Sequence, residues 1–456
     1  MVSKRDKKRL ICTAVTLIMI IMGSSPTLFA AELPTKYKGV TLRVIESETT
    51  PLFAMKELLP EFEKKTGIKV TVEVYDEVAV RDKMVLDFTS HTGLYDVSFL
   101  QWWFVPEYAQ AGFIIPLDHL METKSIPGLL NLDDFLSPIL EGLQVGKVQY
   151  GIPYWYLGGM LYYRTDIFDK YGWAVPETIA DTQEILDKFK SIKKQGQYDK
   201  IAGWVGRGSK EFDSFGSIAG FAWAYGSKLL NDAMEPTLLS DPRWKQAMNK
   251  WVSFMKDHGP LGAGNMTWYD AYNLFMEGKA LMFTETSDYG ADFTNPQISK
   301  VTDKAGFAVG PKGPAGNHIQ WFYSEGFGIN SDISRQKKEA AWLFIQWRCS
   351  SETQLKEAQL KKVGRRFDLC SSKVLQSVQY MEAARKAGAE DYAKGILETI
   401  KAADPSYWPS IPEFAEVAES VATQFSGAIA EMNTVKDALK NANDDVYRIL
   451  EKAGYY

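Results

Sequence analysis

The sequence predicts an α/β protein of two lobes, because of its length, its alternating hydrophobic patterns and its lack of a flexible linker. A chain of 456 residues is too long for one compact core. Strand and helix patterns alternate as far as residue 330, which is typical of a parallel sheet with crossover helices. Since no low-complexity or flexible linker separates the lobes, we expect the chain to cross between them more than once.

The first strand, helix and second strand follow one another directly. In GVTLRVIESE, apolar and polar residues alternate as in a strand with one buried face. The next stretch, PLFAMKELLPEFEKKTG, has the pattern of a helix that begins at Pro51 and ends at Gly67. Residues 68–74 then alternate again, which predicts the second strand.

The stretch RDKMVLDFTSHTGLYDVSFLQWW repeats the order of helix, turn and strand. Its strand, DVSFL, runs into Gln101, Trp102 and Trp103. Ligands of open parallel sheets lie beyond the carboxyl ends of the strands, so we consider these three residues candidate ligand contacts. The alternative is that the two tryptophans only cap the edge of the sheet.

The same alternation continues through the middle of the chain. One amphipathic helix is closed by Gly196, and another begins at Pro242 and ends at Gly259. A further helix turns at Gly278 into the strand ALMFTET. The stretches KAGFAVG and WFYSEGFGIN have strand patterns, and from residue 336 onwards the pattern is mostly helical.

The N-terminus has the three-part layout of a secretory signal, which we place at residues 1–31. MVSKRDKKRL is basic, ICTAVTLIMIIM is apolar but short, and small residues follow near Ala30 and Ala31. The alternative is an uncleaved membrane anchor. Cleavage changes the net charge from −5 to −9, because 47 basic residues then face 56 acidic ones. This acidic balance argues against nucleic acid and anionic membrane as partners.

No catalytic motif is evident, and we expect neither an enzyme nor a metal site nor a cofactor. The sequence contains no G-x-S-x-G, H-E-x-x-H, C-x-x-C or phosphate-binding loop. Glu285 and Asp288 leave open a secreted glycan-active enzyme with paired carboxylates. Cys349 and Cys370 remain after signal cleavage, and we favour two buried thiols over a disulfide.

Six stretches resemble, in order, the landmarks of one known family. They are FEKKTGIKVTVE, DVSFLQWWFVPEYAQAGFIIPLD, GKVQYGIPYWYLGGMLYYRTDIFDKYGWAVPET, FMEGKALMFTETSDYG, AGFAVGPKGPAG and KKEAAWLFIQWRCSSETQ. The chain is similar to the extracellular solute-binding proteins of carbohydrate ABC importers, the family that includes maltose-binding protein. GWVGRGS and the tail from residue 411 are most similar to the branch that binds sugar alcohols.

This resemblance implies the type II periplasmic-binding-protein fold. Two α/β lobes would close by a hinge over a cleft between them, joined by three crossover segments. We place the crossings near residues 153–156, 323–326 and 364–367. The resulting N-terminal lobe comprises residues 38–153 and 325–364, and the C-terminal lobe comprises residues 154–324 and 365–456.

A sugar or polyol has hydroxyls at its edge and C–H groups on its faces. Aromatic rings stack on the faces, and carboxylate, amide and guanidinium groups satisfy the hydroxyls. The residue types at the strand ends and crossings meet both needs. The predicted ligand-binding residues are Glu48, Gln101, Trp102, Trp103, Tyr154, Trp155, Arg207, Glu285, Thr286, Asp288, Tyr323, Arg365 and Trp408.

Several of these residues have structural alternatives. Glu48 is also explained as a solvated loop acid, Arg207 as a salt-bridge partner and Trp408 as a plug of the second lobe. Many relatives carry aspartate in place of Gln101 and glycine in place of Tyr323, so a relative's ligand preference does not carry over directly.

The aromatic stretch of residues 146–166 would contain the first crossing. Either Tyr154 or Trp155 would face the ligand, while Tyr162 or Tyr163 would be buried beneath a helix. Two glycines, at 158 and 159, would give the hinge conformational freedom.

The function that this interpretation predicts is that of a carrier. It would bind a sugar alcohol or monosaccharide in the periplasm and deliver it to the permease of an ABC transporter. We expect a monomer. The alternatives are the same scaffold with another solute, such as a glycerol phosphate ester or an osmolyte, and the secreted enzyme.

Overall fold

A computed structural model of the chain describes residues 32–361 and 365–456, so the predicted signal lies outside the described residues. The strands are β1 (Thr41–Ser47), β2 (Lys69–Tyr75), β3 (Val97–Gln101), β4 (Gln144–Val145), β5 (Val148–Gln149), β6 (Ile152–Arg164), β7 (Ala202–Val205), β8 (Ala280–Thr286), β9 (Ala305–Val309) and β10 (Phe322–Ile329).

Helices cover most of the remaining chain and predominate in its last third. They are α1 (Thr50–Thr66), α2 (Glu77–Ser90), α3 (Val105–Gln110), α4 (Asp118–Lys124), α5 (Ser137–Glu141), α6 (Thr165–Tyr171), α7 (Ile179–Lys193), α8 (Phe215–Ala224), α9 (Pro242–Ser253), α10 (Trp268–Met276), α11 (Gly290–Phe293), α12 (Arg335–Cys349), α13 (Ser351–Ala358), α14 (Ser372–Leu375), α15 (Val378–Lys386), α16 (Glu390–Ala402), α17 (Phe414–Ile429) and α18 (Val435–Lys452).

Local chemistry explains the helix ends that the sequence predicts. At α1, the side chain of Thr49 accepts a hydrogen bond from the backbone N–H of Leu52, and Pro51 lies in the first turn. The helix ends at Gly67, whose φ of 72° is left-handed and suits glycine. The predicted bounds of this helix are therefore confirmed.

Most strands form one large sheet in the order β2-β1-β3-β10-β6-β8-β7, with β9 paired to β6. Strand β1 runs parallel to β2 and β3, and β7 runs parallel to β8. Strands β6 and β10 run antiparallel to their neighbours. The sheet is thus mixed, and the prediction of a parallel sheet is wrong for its centre.

Strand β6 joins the two halves of this sheet. Its first half, Ile152 to Gly158, pairs with β10, and its second half, Gly159 to Arg164, pairs with β8 and β9. Most of the aromatic stretch is therefore one continuous, largely buried strand that runs from one half of the sheet into the other. Tyr162 is buried, and its hydroxyl donates to the carbonyl of Thr286 at 2.6 Å.

Packing rather than hinge freedom explains the two glycines of β6. A Cβ atom at Gly158 would lie 2.4 Å from the hydroxyl oxygen of Tyr156. A Cβ atom at Gly159 would lie 2.6 Å from the backbone of both Gln320 and Trp321. Neither glycine has a positive φ. Both positions require glycine, because neighbouring groups lie too close to the backbone to leave room for a side chain.

Both described cysteines lie in the helical part of the chain. Cys349 and Cys370 are buried free thiols, as favoured from the sequence.

Across residues 32–361 and 365–456, no helix combines the length and the apolar character needed to cross a membrane.

Candidate functional site

A cavity of about 350 Å³ lies where the ends of β1, β3, β7 and β8 meet the middle of β6 and the start of β10. We call this cavity the cleft. Eight of the residues predicted to bind ligand line it, and they come from all six strands or the turns that follow them. They are Glu48, Gln101, Trp103, Trp155, Arg207, Thr286, Asp288 and Tyr323.

Trp102 and Trp408 lie off the cleft and pack against each other. Their ring centroids are 4.8 Å apart in an edge-to-face arrangement, and both rings also contact Phe414. The structural alternatives, a capping tryptophan and a plug, describe these two side chains better than ligand contact does.

Tyr154 and Glu285 also lie off the cleft. Neighbouring residues of a strand point to opposite faces, so Tyr154 points away when Trp155 faces the cavity. The ring of Tyr154 stacks on Phe327 at 4.6 Å, and its hydroxyl donates to Glu46 at 2.8 Å. Glu285 is fully buried beneath the cavity wall.

Among the described residues, the third predicted crossing contributes no side chain to the cleft. Arg365 is partly exposed and does not line the cavity. Its neighbour Arg366 is fully buried and pairs with Asp368 and Glu357. Sequence alone did not distinguish the two arginines.

Nine lining residues were not predicted: Ser47, Thr49, Asp76, Phe99, Leu157, Asp213, Trp268, Tyr289 and Glu325. Three of them could have been predicted from the strand pattern of the sequence. Asp76 directly follows the end of β2, while Leu157 and Glu325 lie two residues after Trp155 and Tyr323 on the same strand faces. The loop residue Asp213 carries no such signal.

Arg207 is held rigidly at the cleft wall. Its Nε and Nη2 donate to the two carboxylate oxygens of Glu285 at 2.8 and 2.9 Å, and its Nη1 donates to Asp213 at 2.6 Å. The guanidinium also lies over the ring of Trp321, 4.5 Å from the centroid. Burial would lower the pKa of Arg207, but Glu285 raises it well above its usual value, so the group stays charged.

Several buried polar atoms at the cleft make no hydrogen bond to any described residue, and they include Trp103 Nε1, Asp213 Oδ1 and the hydroxyl oxygen of Tyr323. Leaving such a group unpaired costs about 1–3 kcal/mol. Two donors and one acceptor are therefore available to a ligand that brings hydroxyl groups.

The carboxyl group of Asp288 has a strongly shifted pKa. Burial raises the pKa of Asp288 to about 8, and the nearby carboxylates of Asp368 and Glu285 act in the same direction. The side chain of Thr286 opposes the rise in the pKa of Asp288. Near pH 7 this carboxyl group is therefore mostly protonated in the ligand-free cleft.

Charge in the cleft is unevenly distributed. Arg207 is the one cation among the described lining residues, and two carboxylates already compensate it. Glu48 and Asp76 lie exposed at the rim and add negative charge. Among residues 32–361 and 365–456, no group of three or more His, Cys, Asp or Glu side chains has the arrangement of a metal site.

Comparison with known families gives one match that covers most of the chain. The family model described as bacterial extracellular solute-binding protein matches residues 47–355. The matched range contains every residue that lines the cleft.

Individual relatives match over a larger share of the chain. A mannitol-binding protein of Pseudomonas aeruginosa is 27% identical over 433 residues, which cover 91% of this chain and 94% of that protein. A solute-binding protein of Agrobacterium vitis, solved with bound D-mannitol, has a TM-score of 0.75 and 29% identity, and covers 91% of this chain and 99% of its own.

A second solved structure supports the fold alone. The solute-binding protein of Agrobacterium radiobacter in complex with ribitol superposes with a TM-score of 0.78 at 23% identity, over 91% of this chain and 99% of its own. The two-lobed α/β fold expected from the sequence is confirmed by these likenesses.

Proposed function

The chain belongs to the family of bacterial extracellular solute-binding proteins, and from this premise we propose that it binds a sugar alcohol or monosaccharide outside the cytoplasmic membrane and delivers it to an ABC-type permease. The observation that carries the proposal is the cleft, where aromatic faces and unpaired polar atoms lie side by side. Family membership confirms that the chain is a binding protein rather than an enzyme.

The shape and chemistry of the cleft suit a small polyhydroxylated molecule. A cavity of about 350 Å³ is within the range of roughly 300–1,000 Å³ that is typical of small-molecule sites. Trp103, Trp155 and Tyr323 line it and offer ring surface to C–H groups. Arg207, Asp213 and Asp288 surround the same space with groups that bind hydroxyls.

Charge decides between a neutral solute and a phosphate ester. A phosphate would need several cations or a helix N-terminus that faces it. In the cleft, the one guanidinium is already paired with Glu285 and Asp213, and the rim is acidic. We therefore favour a neutral polyol over a glycerol phosphate ester. The aromatic and acidic lining favours a cationic osmolyte as the second candidate.

The two relatives with the greatest bearing on ligand class also support a polyol. One is named as a mannitol-binding protein and the other was solved with D-mannitol bound. We infer an acyclic sugar alcohol of similar size as the first ligand to test.

We further propose that the lobes divide at residues 153/154, 324/325 and 364/365, with the mature chain a periplasmic monomer. The pairing of β6 with partners from both halves of the sheet supports the first of these boundaries. The second boundary falls within β10, the neighbour of β6 at the centre of the sheet.

Isothermal titration calorimetry on the chain without residues 1–31 tests the proposal. The panel comprises D-mannitol, D-sorbitol, ribitol, D-glucose, glycerol 3-phosphate and glycine betaine. We expect saturable binding with one site per chain for at least one sugar alcohol and no heat of binding for the phosphate ester. If glycine betaine is the only compound that binds, the solute is a cationic osmolyte rather than a polyol. No binding to any neutral sugar or polyol would overturn the proposal.

A further inference from the structure

Trp155 differs from the other cleft tryptophans in having its indole N–H occupied. Trp155 lines the cleft and is 8% exposed. Its Nε1 donates a hydrogen bond to Oδ2 of Asp368, a buried carboxylate in the segment that follows Arg366. Trp103, across the same cavity, has an indole nitrogen without any hydrogen bond to a described residue. Trp155 can thus offer a ligand only its ring, whereas Trp103 can offer both ring and N–H.

Asp368 is itself fixed from the opposite side. Its Oδ1 accepts a hydrogen bond from Nε of Arg366 at 3.1 Å, and its backbone carbonyl accepts another from Arg366 Nη2. Arg366 is fully buried, and its Nη1 lies 3.5 Å from Glu357. Glu357 in turn forms a buried ion pair with Arg348 of α12. The carboxylate that accepts the indole hydrogen bond therefore lies at the end of a buried series of ion pairs.

The two oxygens of the Asp368 carboxylate accept hydrogen bonds from different donors. Oδ1 accepts from Arg366, and Oδ2 accepts from the indole of Trp155. Asparagine has the same shape but only one acceptor oxygen, so it cannot serve both donors. Because Arg366 is charged and buried, we expect it to retain that single oxygen and the indole to lose its partner.

We propose that Asp368 is a positioning residue that fixes the ring of Trp155 at the cleft wall, and thereby sets the affinity for the solute. The inference rests on the proposed function for its ligand, but the indole hydrogen bond can be measured without ligand. The residue touches no ligand itself and acts through Trp155. It also links β6 to the segment after residue 364, so two distant parts of the chain meet at one ring.

The ligand-free test is an NMR spectrum of protein labelled with ¹⁵N at the tryptophan indoles. The Trp155 resonance is identified by its absence in Trp155→Phe. In the wild type we expect this N–H to resonate downfield and to exchange slowly with water. In Asp368→Asn it should move upfield and exchange faster, because the acceptor is lost.

The ligand test is a double-mutant cycle with the best sugar alcohol of the calorimetry panel. We expect Asp368→Asn to raise the Kd about tenfold in the wild type, as for loss of one hydrogen bond to a charged group. The cycle is run above about pH 9, where Asp288 is ionised with or without the charge of Asp368. In the Trp155→Phe background Asp368→Asn should then cause no further change, because phenylalanine has no N–H to position. Tyr380→Phe is the matched control. It removes a buried 2.8 Å hydrogen bond to the carbonyl of Phe367 in the same segment, and should lower Tm without changing the Kd.

Additive effects on the Kd, or an unchanged Trp155 resonance in Asp368→Asn, would overturn the inference. If Asp368→Asn does not fold, Trp155→Phe and Trp103→Phe are compared on their own. Trp155→Phe alone should leave an oxygen of the Asp368 carboxylate without a donor, and it should therefore lower Tm more than Trp103→Phe does. Equal losses of Tm would contradict the proposal. If the wild type binds no polyol while the indole resonance responds as described, the proposed function fails and the positioning link stands.

Discussion

At the scale of single residues, the cleft combines fixed and adjustable groups. Arg207 makes hydrogen bonds to two carboxylates and lies over Trp321, so its orientation is set before any ligand arrives. Preorganisation of this kind lowers the cost of binding, because fewer side chains must be ordered with the ligand. Asp288 is the adjustable group, because burial raises its pKa to about 8 and a ligand that donates to its carboxylate can lower that pKa again.

We predict that polyol binding releases a proton from Asp288. Ligand hydroxyls that donate to the carboxylate stabilise its ionised form and lower its pKa from about 8. Affinity should therefore rise as the pH increases from 6 to 8 and level off above about pH 9, where the free carboxyl group is almost fully ionised. Calorimetry in buffers of different ionisation enthalpy measures the released proton directly.

Asp288→Asn is the control for this pH dependence, because it keeps the shape of the side chain and removes its titration. Glu46, with a pKa raised by burial to about 7, titrates in the same range but does not line the cleft. If the slope of affinity against pH persists in Asp288→Asn, or if binding takes up a proton, another group is responsible.

Sequence reasoning about the candidate site succeeded where strand geometry dictates position. Carboxyl ends of parallel strands meet at one edge of a sheet, so Glu48 and Gln101, which follow β1 and end β3, could be placed together from their positions alone. It could not choose between neighbours such as Trp102 and Trp103, because both follow the same strand and the local turn decides which ring faces the cavity. Asp213 depends on a loop whose path no pattern encodes.

At the scale of elements, β6 is the structural centre of the chain. Its thirteen residues are paired along nearly the whole strand, first with β10 and then with β8 and β9. The sequence reveals a strand here through its aromatic and aliphatic residues, but local pattern does not show that one strand serves both halves of the sheet. Helix α1, by contrast, carries its start and stop signals within its own residues and was predicted closely.

We predict that Gly159→Ala destabilises the fold by about 2 kcal/mol. The new methyl group would lie 2.6 Å from the backbone of Gln320 and Trp321, which cannot move aside as a flexible side chain can. Denaturant unfolding measures the change. Gly206→Ala is the matched control, because its added methyl group would meet Met255 and Trp204 at ordinary contact distances of 3.7 and 3.8 Å. Equal stability of the two variants would contradict the close-approach explanation.

At the scale of the whole molecule, the cleft draws its walls from both halves of the sheet. Trp103 follows β3 in the first half, whereas Arg207 and Thr286 belong to β7 and β8 in the second. A ligand that bridges the two sets of groups binds more tightly when the halves approach, and therefore shifts the population towards the closed form. Hinge closure is the established motion of periplasmic binding proteins.

We predict that a bound polyol reduces the radius of gyration in small-angle X-ray scattering and raises Tm with ligand concentration. Trp155→Ala should lose both responses, because it removes a stacking surface from the cleft, and it should also lower the Tm measured without ligand, because Asp368 loses its indole donor. Tyr162→Ala should lower Tm but keep both ligand responses: its ring is fully buried among Phe275, Phe283 and Phe293, so its loss costs stability while the cleft wall keeps its composition. A ligand that raises Tm of the wild type without any contraction would show that binding occurs within an already closed cleft, and would contradict closure.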